Sequence, residues 1–373
     1  MNKRPLKYKV VFAELQEQIR RGKFDESHPF PSETQIMRRF NVGRQTAIRV
    51  FQELQKSGLV VRKQGAGTFL TPAARHTGRI GLIIHGSSYC EIFAPISRTI
   101  SHLCQQKGYT LLLGDIAFPT PKKRAEQVLR LVRDYIRQGI DGVLIQPLEL
   151  LKDAEAINRK MMAMFDAAHT PAVLLDSDIL PSPNRSHYDL VGINHFDAGR
   201  SMANHLRDVG AKRICYLMQG DRAPCVSNRW LGLKTGCEGL PLAGKQLLSE
   251  PDDRKTIGNF LKKNKPDAIA CYNDRQAAIL IQTLAQLGKK VPEDLLVAGF
   301  DDVNFAKLVT PQLTTTHQPC EEIAQTAFDM LLQRIGNPAL PPREVFLSAP
   351  LVIRDSTVVT TSLAPTGKRR VYQ

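Results

Sequence analysis

"NVGRQTAIRVFQELQKSGLVVRKQGAGTF", residues 41–69, sets two arginines, a glutamine and a threonine at the front of a segment whose apolar residues recur at helical spacing. Ala47, Val50, Phe51 and Leu54 share one helix face, which leaves Arg44, Gln45, Thr46 and Arg49 turned outward. Two short apolar runs then flank a tip carrying Gly65 and Gly67, the pattern of a hairpin. Upstream, Val10, Val11, Leu15 and Ile19 mark a helix that ends at Gly22. "FPSETQIMRRF" (30–40) marks another: Ser32 is a good N-cap after Pro31, and Ile36, Met37 and Phe40 form its buried stripe. Helix, helix, tight turn and polar-fronted helix predict a helix-turn-helix whose last helix enters the DNA major groove. There an arginine can fork onto guanine, a glutamine onto adenine, and a threonine can touch a thymine methyl or a phosphate. Gly65 and Gly67 let the hairpin backbone approach a phosphate or the minor groove closely, with Arg62 and Lys63 beside them. An exposed charged helix followed by an ordinary hairpin is the bland alternative, and the order and spacing of the pieces weigh against it.

Charge supports the same partner. Net charge is +15 over 373 residues, and residues 1–75 hold 15 Lys and Arg against 6 Asp and Glu. A basic surplus on a small terminal module predicts a polyanion, most commonly double-stranded DNA. A chain of this length exceeds one core and predicts at least two domains. Its seven widely spaced cysteines, with no CxxC, argue against a disulfide framework or a zinc cluster and for a reducing compartment. The start has no apolar signal region and no stretch is long enough to span a bilayer, so a cytoplasmic, nucleoid-associated protein is expected.

From residue 79 onward the pattern changes to apolar strands alternating with helices: "RIGLIIHG", "YTLLLGD", "DGVLIQP", "PAVLLDSD", "DLVGIN", "RICYLMQG", "AIACYND" and "LLVAGFDD". Such runs predict parallel sheets covered on both faces, an α/β body of two doubly wound lobes. Ligands in these folds sit at strand carboxyl ends, which nominates His85 to Tyr89, Asp115, Gln146, Asp176, Asn194, Gln219, Asn273 and Asp274. No metalloprotease, hydrolase, P-loop or dinucleotide motif is present, and no histidine spacing suits a metal, so no enzyme, cofactor or metal is expected. An ionised Asp274 could accept from two ligand hydroxyls, or simply cap the helix that follows it. Trp230 is either pocket wall or helix packing.

Residues 5–70, with PSE at 31–33, Arg44–Thr46 and the GxGTF wing at 65–69, resemble the winged helix-turn-helix of GntR-family regulators. That resemblance implies DNA contacts from Arg44 and Thr46 and a wing tip at Gly65, and the expected DNA-binding set is completed by Thr34, Gln45, Arg49, Lys63, Gln64 and Gly67. Two positions depart from the family pattern: Gly43 stands where serine is usual, and Ile48 where arginine is common. Arg49, about 100° further round the helix, is therefore expected on a phosphate. The segments "SNRWLGLKTG", "CYNDRQAA", "LGKKVPEDLLVAGFDD" and "TPQLTTTHQP" resemble the effector domain of LacI/GalR-type, periplasmic-binding-protein-like regulators. The combination is similar to the arabinose-responsive repressor subgroup.

By that second resemblance Arg229 and Asp274 grip the effector with Phe93 as a stacking face, and Tyr89 and Gln146, nominated at strand ends, complete the expected effector set. The chain is expected to cross between lobes near Ile193, Asp301 and Gln318. The implied layout is a DNA-binding domain (1–71), a linker (72–78), an effector domain (79–354) and a disordered tail (355–373). Its lobes comprise 79–192 with 303–317, and 193–301 with 319–354. Helix 275–287 is expected to be part core and part dimer seam. The function implied is a homodimeric repressor of a pseudo-palindromic operator, released by a sugar-like small molecule and making no membrane contact. A solute-binding protein without DNA work, or a regulator responding to a purine, is the alternative.

Overall fold

The computed structural model describes residues 7–20, 23–24, 29–63, 67–71, 78–85, 91–116, 121–149, 151, 153–181, 184–218, 223–241 and 245–358. The chain resolves into two compact units. One is Met1–Gly81 with Ser101–Leu112 and Gly139–Asp141; the other is Leu82–Ile100, Leu113–Gln138 and Gly142–Gln373.

In the first unit, α1 (Lys7–Arg20), α2 (Glu33–Phe40) and α3 (Arg44–Lys56) lead into the antiparallel hairpin β1 (Val60–Lys63) and β2 (Gly67–Leu70). Leu15, Ile36, Val50, Phe51 and Leu54 close one core among them. Helix α2 begins with a full capping box: Ser32 Oγ accepts from the Gln35 backbone, and the Gln35 side chain accepts from the Ser32 backbone. Asn41, left-handed at φ 47°, ends it and opens the three-residue turn to α3. The N-cap of α3 is Gly43, which offers no side-chain acceptor to the first-turn amides.

The body carries a six-stranded sheet in the order β13–β7–β6–β5–β3–β4. Its strands are β3 (Gly78–Ile84), β4 (Tyr109–Asp115), β5 (Gly142–Ile145), β6 (Ala172–Leu175), β7 (Asp189–Ile193) and β13 (Glu344–Leu347). Helices α4 (Phe93–Gln106), α5 (Pro121–Arg137) and α6 (Ala154–Ala167) fall between the successive strands, and α12 (Cys320–Gly336) packs on β5, β6 and β7. A second sheet runs β11–β10–β8–β9, from β8 (Ile214–Met218), β9 (Lys245–Leu248), β10 (Ala268–Cys271) and β11 (Leu296–Ala298). With it go α7 (His195–Asp208), α8 (Pro224–Gly236), α9 (Arg254–Asn264), α10 (Asp274–Gln286) and α11 (Asn304–Leu308). A small ladder of β12 (Thr315–Thr316) with β14 (Leu351–Val352) completes this lobe. Strands β5, β6, β7 and β13 pair in parallel, as do β11, β10, β8 and β9, which suits buried apolar strands.

Three expectations need correction. Residues 303–317 pack in the second lobe, where Leu313 and Ala306 join its core, whereas α12 and β13 belong to the first. The lobe crossings therefore fall at 193–195, 317–320 and 348–350; Asp301 is not a crossing but bridges His317 beside one. The expected tail begins as structure: Asp355–Thr357 form a 3-10 turn with Ser356 and Thr357 fully buried, Ser356 Oγ donating to the Val297 carbonyl at 2.6 Å. Two hydroxyl side chains among apolar strands fit because each finds a partner; Thr357 meets His205 Nε2 at 2.8 Å. Residues 359–373 lie outside the described residues. Helix α10 turns Leu280, Ile281 and Leu284 into the second-lobe core, which is the core part of what was expected of it, and leaves Ile279 half-buried. Among the described residues, no helix is long and apolar enough to cross a membrane.

The uncapped front of α3 yields a measurable expectation. Gly43 has an extended backbone (φ −72°, ψ 159°), and a Cβ there meets nothing within 4 Å. Gly43→Ser should stabilise the first unit by about 0.5–1 kcal/mol, through a cap and a stiffer unfolded chain. Urea denaturation of the isolated transition would show it as a higher midpoint, and an unchanged or lower midpoint would count against capping.

Candidate functional site

A buried guanidinium organises the body's main polar cluster. Arg229, in α8, is 4% exposed; its Nε donates to His195 Nδ1 at 3.2 Å and its Nη1 to the Tyr272 carbonyl at 2.8 Å. Its Nη2 lies 3.4 Å from Asp301 Oδ1, an ion pair longer than a good hydrogen bond. The guanidinium carbon sits 3.6 Å from the centroid of the Phe300 ring. A buried cation is tolerable only with such partners.

The hydrogen bonds fix the histidine tautomer. Because His195 Nδ1 accepts from a cationic N–H, the ring proton is on Nε2, which donates to Asp176 at 3.0 Å. Asp176, Cys225 and His195 bring potential ligand atoms within 4.8 Å of one another. A metal on His195 would need the Nε2 lone pair that this tautomer has protonated, so the trio fits a hydrogen-bond chain better than a cation. Burial pushes the Asp176 carboxyl up, but His195 and Arg229 outweigh it and hold the group below the usual range. Burial wins at Asp301, whose carboxyl stays above the usual range despite Arg229 and the 2.7 Å bond from Gln318 Nε2. Glu149 accepts from Ser177 Oγ at 2.6 Å, and burial together with the Asp176 charge raises it to about 7.

Backbone strain gathers at the same place. Asp176 (φ 68°), Asp301 (φ 111°) and Asp302 (φ 57°) all lie in the region that favours glycine. Each costs roughly 1–3 kcal/mol, tolerated where neighbours over-determine it. Asp176 N–H donates to the Val191 carbonyl and Asp301 N–H to Thr316, at 2.9 and 2.8 Å. Asp302 receives Arg354 Nη2 at 2.6 Å and faces His317 Nδ1 at 3.0 Å. The helices carrying His195 and Arg229 touch through glycine: a Cβ on Gly199 would lie 2.0 Å from the Arg229 carbonyl, and one on Gly232 1.9 Å from that of Phe196.

Of the residues nominated from sequence for the effector site, Arg229 and the strand-end Asp176 stand in this cluster. Asp274 does not present a free carboxylate. It is 0% exposed, with Oδ1 accepting from Thr315 Oγ1 at 2.5 Å and Oδ2 from the Val303 amide at 2.9 Å. It locks the loop after β11, and the helix cap is its neighbour Asn273. Phe93 is 1% exposed and packs inside the fold rather than offering a stacking face. Gln146 Oε1 accepts from the His85 amide at 2.8 Å and ties two strand ends together. Asn194 caps α7, and Trp230 packs against the second-lobe core. Tyr89 lies outside the described residues, as do Gln64 and Gly65. His195, Glu149 and Asp301 were not nominated as ligand-binding; the doubled acid in "FDD" was the available signal.

In the first unit, Thr34, Arg44, Gln45, Arg49, Lys63 and Gly67 are exposed and Thr46 is half-buried. Arg49 lies over the Tyr8 ring at 4.2 Å, which holds it at the edge of α3. Arg62 pairs with Glu33 of α2 and lies over Phe51, tying the hairpin to the helices.

Comparison with known proteins finds two matching families: "Bacterial regulatory proteins, gntR family" over residues 7–70, and "Periplasmic binding protein-like domain" over 203–357. The chain is 28% identical over 368 residues to the arabinose metabolism transcriptional repressor of Geobacillus stearothermophilus, covering 94% of this chain and 97% of that protein. It is 28% identical over 292 residues to the HTH-type transcriptional repressor PurR of Vibrio vulnificus, covering 75% and 81%. Among solved structures, a LacI family transcriptional regulator from Enterococcus faecalis with bound ribose superposes with TM-score 0.63 at 25% identity, over 74% of this chain and 98% of that one.

The glycine contact between α7 and α8 gives a direct test of how the cluster is positioned. Gly199→Ala should cost about 1–3 kcal/mol by overpacking, seen as a lower urea midpoint. Gly258→Ala in α9, where Leu287 is 3.7 Å away, is the control. It should be neutral or stabilising by up to about 1 kcal/mol from helix propensity. Equal effects at both sites would refute the close contact.

Proposed function

This chain joins a GntR-type helix-turn-helix domain to a LacI-type, periplasmic-binding-protein-like domain, and on that premise we propose that a small molecule bound at the Arg229–Asp301 cluster controls its hold on DNA. The chain is a ligand-responsive transcriptional repressor and not an enzyme, as its relatives are. The observation that carries the effector reading is the buried, loosely closed Arg229–Asp301 pair, at 3.4 Å. A sugar-like ligand can insert hydroxyls there, each accepting from the guanidinium and donating to the carboxylate. The ribose held by the Enterococcus regulator, and the arabinose metabolism served by the Geobacillus relative, support that class.

On the DNA side, Arg44, Gln45 and Thr46 read base edges while Arg49, Lys63 and the wing hold phosphates. A homodimer would set two α3 helices into successive major grooves of a pseudo-palindrome. Release follows when the effector prefers the DNA-incompetent state, and a hundredfold preference supplies about 2.7 kcal/mol.

Two substitutions separate the halves of this mechanism, using an operator selected from random duplexes by the protein itself. Arg44→Ala should weaken the selected site by about 1–3 kcal/mol and leave random DNA within a few-fold, read by fluorescence anisotropy. Equal loss on both duplexes would remove Arg44 as a base reader. Asp301→Asn should bind the operator as the parent does but ignore effector; a normal response from that variant would move the effector site elsewhere.

A further inference from the structure

The charge of the ligand is written in the cluster's own imbalance. Asp176, Asp301 and Glu149 gather about the single guanidinium of Arg229. Glu91 lies within electrostatic reach of Asp301, and Arg275 is the cation that acts on it. Among the described residues the group is therefore richer in carboxylate than in guanidinium. The carboxyls of Glu91, Glu149 and Asp301 are each pushed up, first by burial and in each case also by a neighbouring carboxylate. Arg229 has little to spare, since Nε and Nη1 are spent on His195 and the Tyr272 carbonyl.

A second observation is independent of charge. Gln318 is 2% exposed, its Nε2 donates to Asp301, and its Oε1 has no hydrogen-bond partner among the described residues. The amide cannot be turned round, because Oε1 would then oppose a carboxylate oxygen. The buried Tyr216 hydroxyl, within electrostatic reach of Arg229 and Asp301, is also without a hydrogen-bond partner among the described residues. Buried polar groups left this way are costly and point to something missing. What is missing at Gln318 is a donor, and what is missing around the carboxylates is positive charge. An ammonium supplies three N–H donors and no acceptor.

We propose that the effector is a polyhydroxy compound bearing a protonated amine, an amino sugar in chemical class, whose ammonium is taken by the Glu149–Asp176–Asp301 group with Gln318. This rests on the effector-site reading above and narrows it. Anionic ligands such as sugar phosphates are repelled by the same carboxylates. A neutral sugar leaves the charge imbalance in place.

The test is calorimetric titration of the full chain with D-glucosamine, D-galactosamine and D-mannosamine. Each is run beside its parent hexose and its N-acetyl derivative, with L-arabinose and D-ribose included. At least one amine should bind tenfold or more tightly than its parent and N-acetyl forms. Glu149→Gln should cut that affinity at least tenfold and cost the parent hexose several-fold less, and Glu149→Asp should restore part of it. The amine's affinity should also fall as pH drops below about 7, where Glu149 becomes neutral, and lose that dependence in Glu149→Gln. Absence of binding by every amine, tighter binding of any neutral sugar, or an unmoved affinity in Glu149→Gln overturns the proposal. A neutral sugar whose binding Asp301→Asn abolishes overturns only the charge preference and leaves the site. Binding that survives both Asp301→Asn and Arg229→Lys removes the site itself.

Discussion

A guanidinium kept out of water is the constraint around which the body is arranged. Isolated, the Arg229 charge would cost several kcal/mol to bury, and nothing in one strand or helix could offset that. The partners come from three separate stretches: His195 at the start of α7, Tyr272 after β10, and Phe300 with Asp301 after β11. Each is useless to Arg229 unless its own element is in register, so the pairings of β8, β10 and β11 and the glycine contact of α7 with α8 are conditions of the same charge being tolerated. The left-handed backbones of Asp176 and Asp301 belong to this account. They are local costs accepted where several tertiary bonds fix the turn.

The elements that periodicity could reveal were legible. The first unit read correctly because its signals are local: a serine and a glutamine three apart cap α2, and the apolar stripes of α2 and α3 have helical spacing. The long apolar strands of the body were equally plain. Strand β13, "EVFL", and β14, two residues long, were not, because an edge strand and a two-residue ladder carry too few apolar positions to stand out. Missing them misassigned the lobes, since β13 and α12 are what send the chain back to the first sheet after residue 317.

The site was legible in part for a related reason. Arg229 declared itself through its segment, but the choice between Asp274 and Asp301 depends on where two loops meet. Both aspartates follow apolar strands, and a strand-end rule cannot rank them. Tertiary contacts can: Thr315 and the Val303 amide saturate Asp274, whereas Asp301 keeps an incompletely closed pair with a cation. Positive φ at Asp301 and Asp302 has no composition signal strong enough to read, because aspartate is common in every kind of turn.

Gln318 joins this chemistry to the way the lobes are connected. It lies on the crossing at 317–320, its side chain holds Asp301, and its backbone amide donates to the Asp301 carbonyl at 3.2 Å. The adjacent His317 forms a bridge with Asp301 and faces Asp302, which Arg354 also grips beyond the crossing at 348–350. Asp301 is therefore tied to two of the three connections between lobes, so a ligand held there, as proposed, bears on both. Such a ligand shifts the lobes only by the difference between its contacts in the two arrangements. A carboxylate whose partners sit on the connections between lobes can supply that difference, while Asp274, fastened wholly within the second lobe, could bind as tightly and change nothing.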